Sequence, residues 1–147
     1  MKAILVPVYF NSPDDPEFVS HLAAIKELLE DVAEFKEPIA LGSAVPPTDG
    51  VIFPQMLGEA YRRSEEIRQL PQPIMVVTSE FGTVSMWDWE INTYLTTKGV
   101  EVIAPNTLEK TKMACRAFAL KRQLSQGKFL VYQDKPASGG GKQDPIF

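Results

Sequence analysis

Hydrophobic and polar positions along this chain follow two alternating periods. Short, almost entirely apolar runs occur at residues 3–10, 50–53, 73–77 and 100–104, with weaker ones at residues 39–44 and 128–132. Apolar runs of this length are typical of strands covered on both faces, as in a parallel sheet. Between most of them lie longer segments in which apolar residues recur every three or four positions, which is the spacing of an amphipathic helix.

The helical segments carry recognisable start and stop signals. The first begins at residues 14–17, DDPE, where acids and a proline suit a first helical turn. Its apolar stripe is Phe18, Leu22, Ile25, Leu29 and Val32. A second helix is expected over residues 58–70, polar on most of its surface and facing solvent. A third is expected over residues 84–98, ending at Gly99.

The last helix is expected from a cap at Asn106 and Thr107 to a stop at Gly127. Its apolar stripe, predicted to face the sheet, consists of Met113, Ala117, Leu120 and Leu124. Cys115 lies off that stripe, near Phe118 and Ala119, and is interpreted as a buried or contact thiol.

Strand and helix therefore alternate about five times, which indicates an α/β fold. We expect an open, mainly parallel, doubly wound sheet in three α/β/α layers, of the flavodoxin-like (Rossmann-like) type. Because crossovers between parallel strands are right-handed, few topologies remain, and the strand order 2-1-3-4-5 is predicted.

Composition narrows the protein class. A chain of 147 residues is about one domain. The net charge of −4 argues against a nucleic-acid surface, and no apolar run approaches the ~20 residues of a membrane helix. The first apolar run is too short for a secretory signal, so a cytoplasmic location is expected. The single cysteine excludes an intramolecular disulfide and a cysteine metal cluster.

The C-terminal residues have the composition of a linker. Residues 134–147, DKPASGGGKQDPIF, combine three consecutive glycines with two prolines. The favoured interpretation is a domain over residues 1–133 and a flexible linker over residues 134–147 that leads toward a downstream domain missing from this sequence. The alternative is a frayed native tail.

Several common functions of this fold lack their motifs. The turn after the first strand contains no glycine, which argues against a dinucleotide fingerprint. Asp14 and Asp15 follow that turn and would repel a phosphate group. The positions that a phospho-accepting receiver domain needs carry Phe53-Pro54-Gln55 and Pro105. His21 is the single histidine, far in sequence from an exposed nucleophile, and a structural or surface role is expected for it.

Polar and aromatic residues follow the strand ends. In parallel sheets ligands bind beyond the carboxyl ends of the strands. Aromatic faces with a few amide, hydroxyl and carboxylate groups suit the apolar and polar faces of a sugar. The predicted substrate-binding residues are Tyr9, Phe10, Gln55, Ser79, Glu80, Phe81 and Gly82. Two alternatives stay open: Glu80 caps the next helix or pairs with an arginine, and Gly82 only permits a turn.

The third helix divides its aromatic residues between two faces. Val84, Trp87, Ile91 and Leu95 fall on one side and are expected in the core. Met86, Trp89 and Thr93 fall on nearly the opposite side, where an exposed tryptophan indicates a partner surface. We predict an oligomer contact there, in a homo-oligomer. The alternative is that a downstream domain covers Trp89.

Residues 49–54, DGVIFP, then residues 73–80, PIMVVTSE, then a helix rich in aromatics resemble the N-terminal region of L-fucose and L-arabinose isomerase-like proteins. The resemblance covers most of residues 1–132. It implies a flavodoxin-like domain that helps assemble oligomers and contributes to the sugar site. In that family the metal ligands and catalytic carboxylates come from later domains, so no catalytic or metal-binding residue is assigned here.

The resemblance leads to a functional expectation. The chain is expected to be the N-terminal domain of an aldose–ketose isomerase, inactive alone, whose full-length parent uses Mn²⁺ or a similar divalent cation. The alternative is a self-contained, non-catalytic module that binds a small molecule or has a regulatory role.

Overall fold

The computed structural model describes residues 1–77 and 86–128, with the side chains of residues 86–88 left out. Its strands are β1 (Ala3–Tyr9), β2 (Ala33–Phe35), β3 (Ile39–Ala40), β4 (Gly50–Phe53), β5 (Ile74–Val76) and β6 (Val102–Ile103). Its α-helices are α1 (Pro16–Leu28), α2 (Ser64–Arg68), α3 (Met86–Thr97) and α4 (Leu108–Ser125), and a 3₁₀ helix covers Gly58–Tyr61.

The strands form one parallel sheet in the order β2-β1-β4-β5-β6. β3 pairs with the later part of β1, where Val8 lies opposite Ile39, so β2 and β3 share one position at the edge. When β2 and β3 are counted as one edge position, β4, β5 and β6 become the third, fourth and fifth strands. The order is then the predicted 2-1-3-4-5. The flavodoxin-like topology is confirmed.

Helices cover both faces of the sheet, because alternate strand residues point to opposite sides. Val51 and Phe53 of β4 belong to one buried cluster, together with Ile67 from α2 and Ile91 from α3. Ile52 belongs to the other, which also contains residues from α1 and α4. The three-layer α/β/α architecture is therefore confirmed.

Helix α1 packs as its pattern predicts. Phe18, Leu22 and Ile25 are buried against the sheet, and Leu29 and Val32 are buried just after the helix ends. The Asp15 carboxylate caps the helix by accepting hydrogen bonds of 3.0 Å from the backbone N–H groups of Glu17 and Phe18.

Helix α4 is turned relative to its predicted orientation. The predicted stripe is exposed, with Met113, Leu120 and Leu124 at 67%, 53% and 56% of full exposure. The buried face instead carries Thr111, Cys115, Phe118 and Ala119. The prediction for the stripe was therefore wrong, whereas the interpretation of Cys115 as a buried thiol is confirmed.

Close packing against the sheet explains the orientation of α4. The Phe118 ring lies over Gly50 of β4, so closely that a Cβ atom on Gly50 would be 3.1 Å from the ring. Cys115 and Ala119 are small enough to let the helix approach. Thr111 satisfies its hydroxyl within the helix, donating to the Thr107 carbonyl oxygen at 2.9 Å. A polar residue can therefore face the core here.

The helix expected over residues 58–70 is instead divided into the 3₁₀ helix and α2. Arg63, expected to face solvent, turns inward and donates to the carbonyl oxygens of Phe10 at 2.9 Å and Leu41 at 2.7 Å. It also pairs with Glu66 at 2.6 Å. These bonds tie the junction to the ends of two strands, and the solvent-facing prediction was wrong for Arg63.

The remaining predictions have mixed outcomes. Gly99 ends α3 with φ of 75°, a left-handed conformation that suits glycine. The strand predicted over residues 128–132, beyond Lys128, and the linker over residues 134–147 lie outside the described residues. None of the described helices combines the length and apolar character required to cross a membrane.

Candidate functional site

The carboxyl ends of β1 and β4 form the point at which the chain changes sides. These two strands are neighbours in the sheet. From β1 the chain enters α1 on one face, whereas from β4 it enters the 3₁₀ helix and α2 on the other. In open α/β sheets such a switch point leaves a crevice where ligands bind. This edge is therefore the candidate functional site.

Two of the predicted binding residues contact the first turn of α1 at this edge. Tyr9 is half-buried, and its ring meets the Phe18 ring edge-on with centroids 5.8 Å apart. Gln55 follows β4, and its side-chain amide donates to the Glu17 carboxylate at 2.9 Å. The end of β1, the end of β4 and the start of α1 thus meet here, and they bring an aromatic ring, an amide and a carboxylate to one edge.

Phe10 has a different environment from these two. It is only 6% exposed, and its ring packs on Phe53 in the core with centroids 5.4 Å apart. Its backbone carbonyl oxygen accepts the hydrogen bond from Arg63. The Phe10 ring therefore packs in the core and supports the end of β1.

Glu17 and His21 are the residues at this edge that the sequence did not indicate as ligand-binding. His21 is half-buried, and its Nδ1 lies 3.3 Å from the Pro54 carbonyl oxygen. Because a carbonyl can only accept, Nδ1 carries the proton in this contact and a neutral ring keeps Nε2 as an acceptor. Their position in the sequence could have indicated them, because Glu17 and His21 lie one helical turn apart in the helix that follows β1.

The electrostatic character of the edge is unsuited to a phosphate. The Asp15 carboxylate already occupies the backbone N–H groups at the start of α1, which a bound phosphate would otherwise use. Asp14 adds a further negative charge beside it. Arg63, the cation near the end of β1, is bound to two carbonyl oxygens and to Glu66. Arg63 also lowers the pKa of the Glu66 carboxyl.

The neutral and acidic groups of the edge instead suit hydroxyl groups. The Gln55 amide combines donor and acceptor capacity, whereas His21 Nε2 and the Glu17 carboxylate are acceptors. The Tyr9 ring offers an apolar face for C–H groups. An uncharged ligand rich in hydroxyls matches this combination.

A divalent cation does not fit the described part of the chain. Within residues 1–77 and 86–128, no three His, Cys, Asp or Glu side chains gather closely enough to hold a metal ion. Burial raises the pKa of the Cys115 thiol to about 11, so it is a poor nucleophile at neutral pH.

Four further predicted binding residues, Ser79, Glu80, Phe81 and Gly82, lie outside the described residues. Val77 is the last described position before them, and its N–H donates to the Phe53 carbonyl oxygen at 3.0 Å. The chain therefore leaves β5 beside the end of β4, at the same edge as Gln55. The binding role of the four residues stays a prediction.

The predicted oligomer contact lies on α3. This helix packs on the same face of the sheet as α2, and the contact is on the side of α3 that faces away from the sheet. Trp89 is 63% exposed, and Thr93 is exposed and donates its hydroxyl hydrogen to the Trp89 carbonyl oxygen at 2.7 Å. The Met86 side chain lies outside the described part of the structure. An open groove of about 550 Å³ beside Trp89 is lined by Tyr61, Trp89, Glu90, Thr93, Tyr94 and Thr97.

Aromatic packing forms the floor of this groove. The Tyr61 and Tyr94 rings lie 4.8 Å apart, and Lys98 Nζ is 5.3 Å from the centre of the Tyr94 ring. Burial raises the pKa of the Tyr61 hydroxyl, and the Glu90 carboxylate raises it further. An exposed indole beside such a floor is typical of a contact surface. The oligomer contact itself stays a prediction.

Comparison with known proteins found no matching family model, no matching curated protein and no matching solved structure.

Proposed function

We propose that this α/β unit is the N-terminal, substrate-contacting domain of an aldose–ketose isomerase, and that it also contributes to oligomer assembly. The observation that carries the proposal is the switch-point edge, where Tyr9, Glu17, His21 and Gln55 offer an aromatic face with uncharged and acidic polar groups. The resemblance of residues 49–54 and 73–80 to the isomerase-like family supports it.

The role of these residues is to recognise and orient the sugar. The Gln55 amide can donate its second N–H to one hydroxyl and accept from another, while His21 Nε2 and the Glu17 carboxylate accept. The Tyr9 ring can cover a C–H face. The proton or hydride shift between the carbonyl carbons requires groups that a further domain supplies. The unit is therefore inactive alone, and a divalent cation such as Mn²⁺ belongs to the full-length protein.

A second candidate belongs to a different class: a self-contained, non-catalytic binding module. It is favoured by the pairing within the site, since Glu17 already holds Gln55 and His21 already contacts Pro54. Such pairing preorganises the polar groups of a binding site. Reading the coding sequence downstream of Phe147 separates the two. Several hundred further codons with Glu, Asp and His clusters favour the isomerase, and an immediate stop favours the module.

The direct test is binding of neutral aldoses and of the corresponding sugar phosphates, followed by calorimetry or NMR titration. We expect neutral sugars to bind and their phosphates to bind at least tenfold more weakly, because of the acidic edge. Gln55→Ala should weaken sugar binding at least tenfold. Gln69→Ala removes an exposed amide at the end of α2 and serves as the matched control.

Two outcomes contradict the proposal. Absence of sugar binding at millimolar concentration would exclude a sugar-contacting edge in this chain. Substantial isomerisation by the chain with added Mn²⁺ would show that it is not inactive alone. Binding without turnover, lost in Gln55→Ala and kept in Gln69→Ala, is the expected result.

A further inference from the structure

Helix α4 carries an apolar seam that the described part of the chain leaves exposed. Met113, Ala117, Leu120 and Leu124 are all exposed, while the opposite face of the helix packs on the sheet. Their spacings of four, three and four residues are those of the a and d positions of a coiled coil. An apolar seam of this kind is suited to covering by another helix.

Helix α1 lies beside α4 and completes the surface. Ile25 and Leu29 share the buried cluster with Cys115 and Phe118, and Lys112 Nζ of α4 is 2.7 Å from Asp31, just after α1. The outer sides of α1 and α4 are therefore adjacent. On α1, Val19 is 49% exposed and Ala23 is exposed one turn later, which gives this helix a smaller exposed apolar strip of its own.

The two helices carry opposite charge. Residues 14–31 contain six acidic residues and one lysine, whereas residues 107–128 contain one acidic residue and six basic ones. Glu27 and Glu30 are exposed on the α1 side, and Arg116 and Lys121 are exposed on the α4 side. A second copy of the chain, turned by a two-fold rotation, can therefore match basic to acidic on both sides of the axis.

We propose that the α1–α4 surface is a self-association surface, with α4 of each copy lying on α1 of the other. Pairing α4 with α4 would place Arg116 and Lys121 against like charges, whereas α1 supplies acids and an apolar strip. The proposal does not depend on the sugar site. It also concerns the sheet face opposite to that of Trp89, because α3 belongs to the other buried cluster.

The test measures mass in solution by analytical ultracentrifugation. Trp89→Glu removes the other predicted contact, so the association that remains reports on the α1–α4 surface. We expect Trp89→Glu to be a dimer and Trp89→Glu/Leu120→Glu to be a folded monomer, with circular dichroism confirming the fold. A monomeric Trp89→Glu, or a Trp89→Glu/Leu120→Glu that is still dimeric, overturns the proposal.

A charge exchange in the Trp89→Glu background identifies which helix meets α4. Lys121→Glu and Glu27→Lys should each raise the dimer dissociation constant about tenfold, and together they should restore most of the affinity. Glu101→Lys, an exposed charge change away from both helices, is the matched control and should change little. Stronger association in Lys121→Glu alone would indicate α4 against α4, and an unchanged constant in both single variants would show that charge plays no part; either result overturns the proposed pairing.

Discussion

Helices α1 and α4 lie side by side on the same face of the sheet, yet only α1 is oriented as its sequence pattern predicts. Both are capped by a side chain, Asp15 for α1 and Thr107 for α4. The apolar stripe of α1 is buried, whereas the larger apolar residues of α4 point to solvent. Helix α1 has one substantial apolar face and α4 has two. Periodicity therefore identifies which residues share a face, and packing decides which face is buried.

The surface beneath α4 explains the choice. Gly50 leaves a depression in β4 that the Phe118 ring fills, and Cys115 and Ala119 let the helix backbone approach the sheet. Turning α4 to bury Met113 and Leu120 would remove Phe118 from this position. The comparison leads to four predictions.

The sharpest test of the comparison is one substitution made in both helices. Leu22→Ala removes a buried side chain from α1, and we expect it to lower the free energy of unfolding by about 2–5 kcal/mol. Leu120→Ala removes an exposed one from α4 and should change it by less than about 0.5 kcal/mol in dilute protein. Urea unfolding measures both. Equal losses in the two variants would contradict the observed orientation of α4.

The depression beneath Phe118 predicts the next largest effect. Gly50→Ala places a Cβ atom 3.1 Å from the Phe118 ring and 3.3 Å from the Pro73 carbonyl oxygen, so we expect a loss of about 1–3 kcal/mol. Gly58→Ala is the matched control, since a Cβ atom there would have no neighbour within 4 Å. Thermal unfolding of the two variants gives the comparison. A Gly50→Ala variant as stable as Gly58→Ala would show that Phe118 does not depend on the glycine.

Burial of Cys115 predicts a pH dependence at alkaline pH. Its pKa is raised from 9.0 to about 11 by burial, so the unfolded state releases its proton before the folded state does. This contribution to stability is fully present below pH 9 and is lost as pH rises toward 11. Between pH 8 and pH 10 wild type should lose about 1 kcal/mol relative to Cys115→Ala, measured by urea unfolding.

Thiol labelling provides an independent check of the same burial. The native thiol should resist alkylation at neutral pH and react after unfolding. A native protein that labels as fast as the unfolded chain would place Cys115 on the exposed side of α4, and the comparison between the helices would then fail.

The smallest effect is expected from the ion pair that joins the two helices. Lys112 holds the pKa of Asp31 below its usual value of 3.8, mainly through the hydrogen bond between them. A lowered pKa in the folded state means that the contribution is present above pH 3.8 and is lost as pH falls below it. As pH falls from 6 to 3, the free energy of unfolding of Asp31→Asn should therefore decrease less than that of wild type, measured by urea unfolding.

Because both partners contact solvent, the difference should be slight and should shrink in high salt. Asp14→Asn is the control, since it changes an exposed carboxylate at the start of α1. If Asp31→Asn and Asp14→Asn show the same pH dependence of unfolding, the Lys112–Asp31 ion pair does not contribute to the stability of the fold.

The sequence predicted the structure best in segments whose apolar residues can be buried in only one way. The buried strands β4 and β5 and the single stripe of α1 predicted the parallel sheet and its order. Residues 58–70 were harder, because Arg63 is polar by type but satisfies carbonyl oxygens at the ends of β1 and after β3. Such bonds join residues distant in sequence, so a local pattern cannot indicate them.

The sequence likewise predicted only part of the candidate site. Tyr9 and Gln55 were predicted because each follows the last apolar residue of a strand, and both lie at the start of α1. The pattern of α1 alone does not indicate Glu17 and His21 as site residues, because their contacts are with residues that follow β4. Phe10 comes directly after Tyr9, the last residue of β1, but the alternation of the strand turns its ring into the core.

The divided edge of the sheet has a consequence for aggregation. β2 and β3 pair with β1 over three and two residues, and Pro38 lies between them without a backbone N–H to donate. A long, regular edge strand invites strands from other molecules and can extend into fibrils. Here an incoming strand would meet a ladder interrupted at its middle. This side of the sheet is therefore protected against runaway polymerisation.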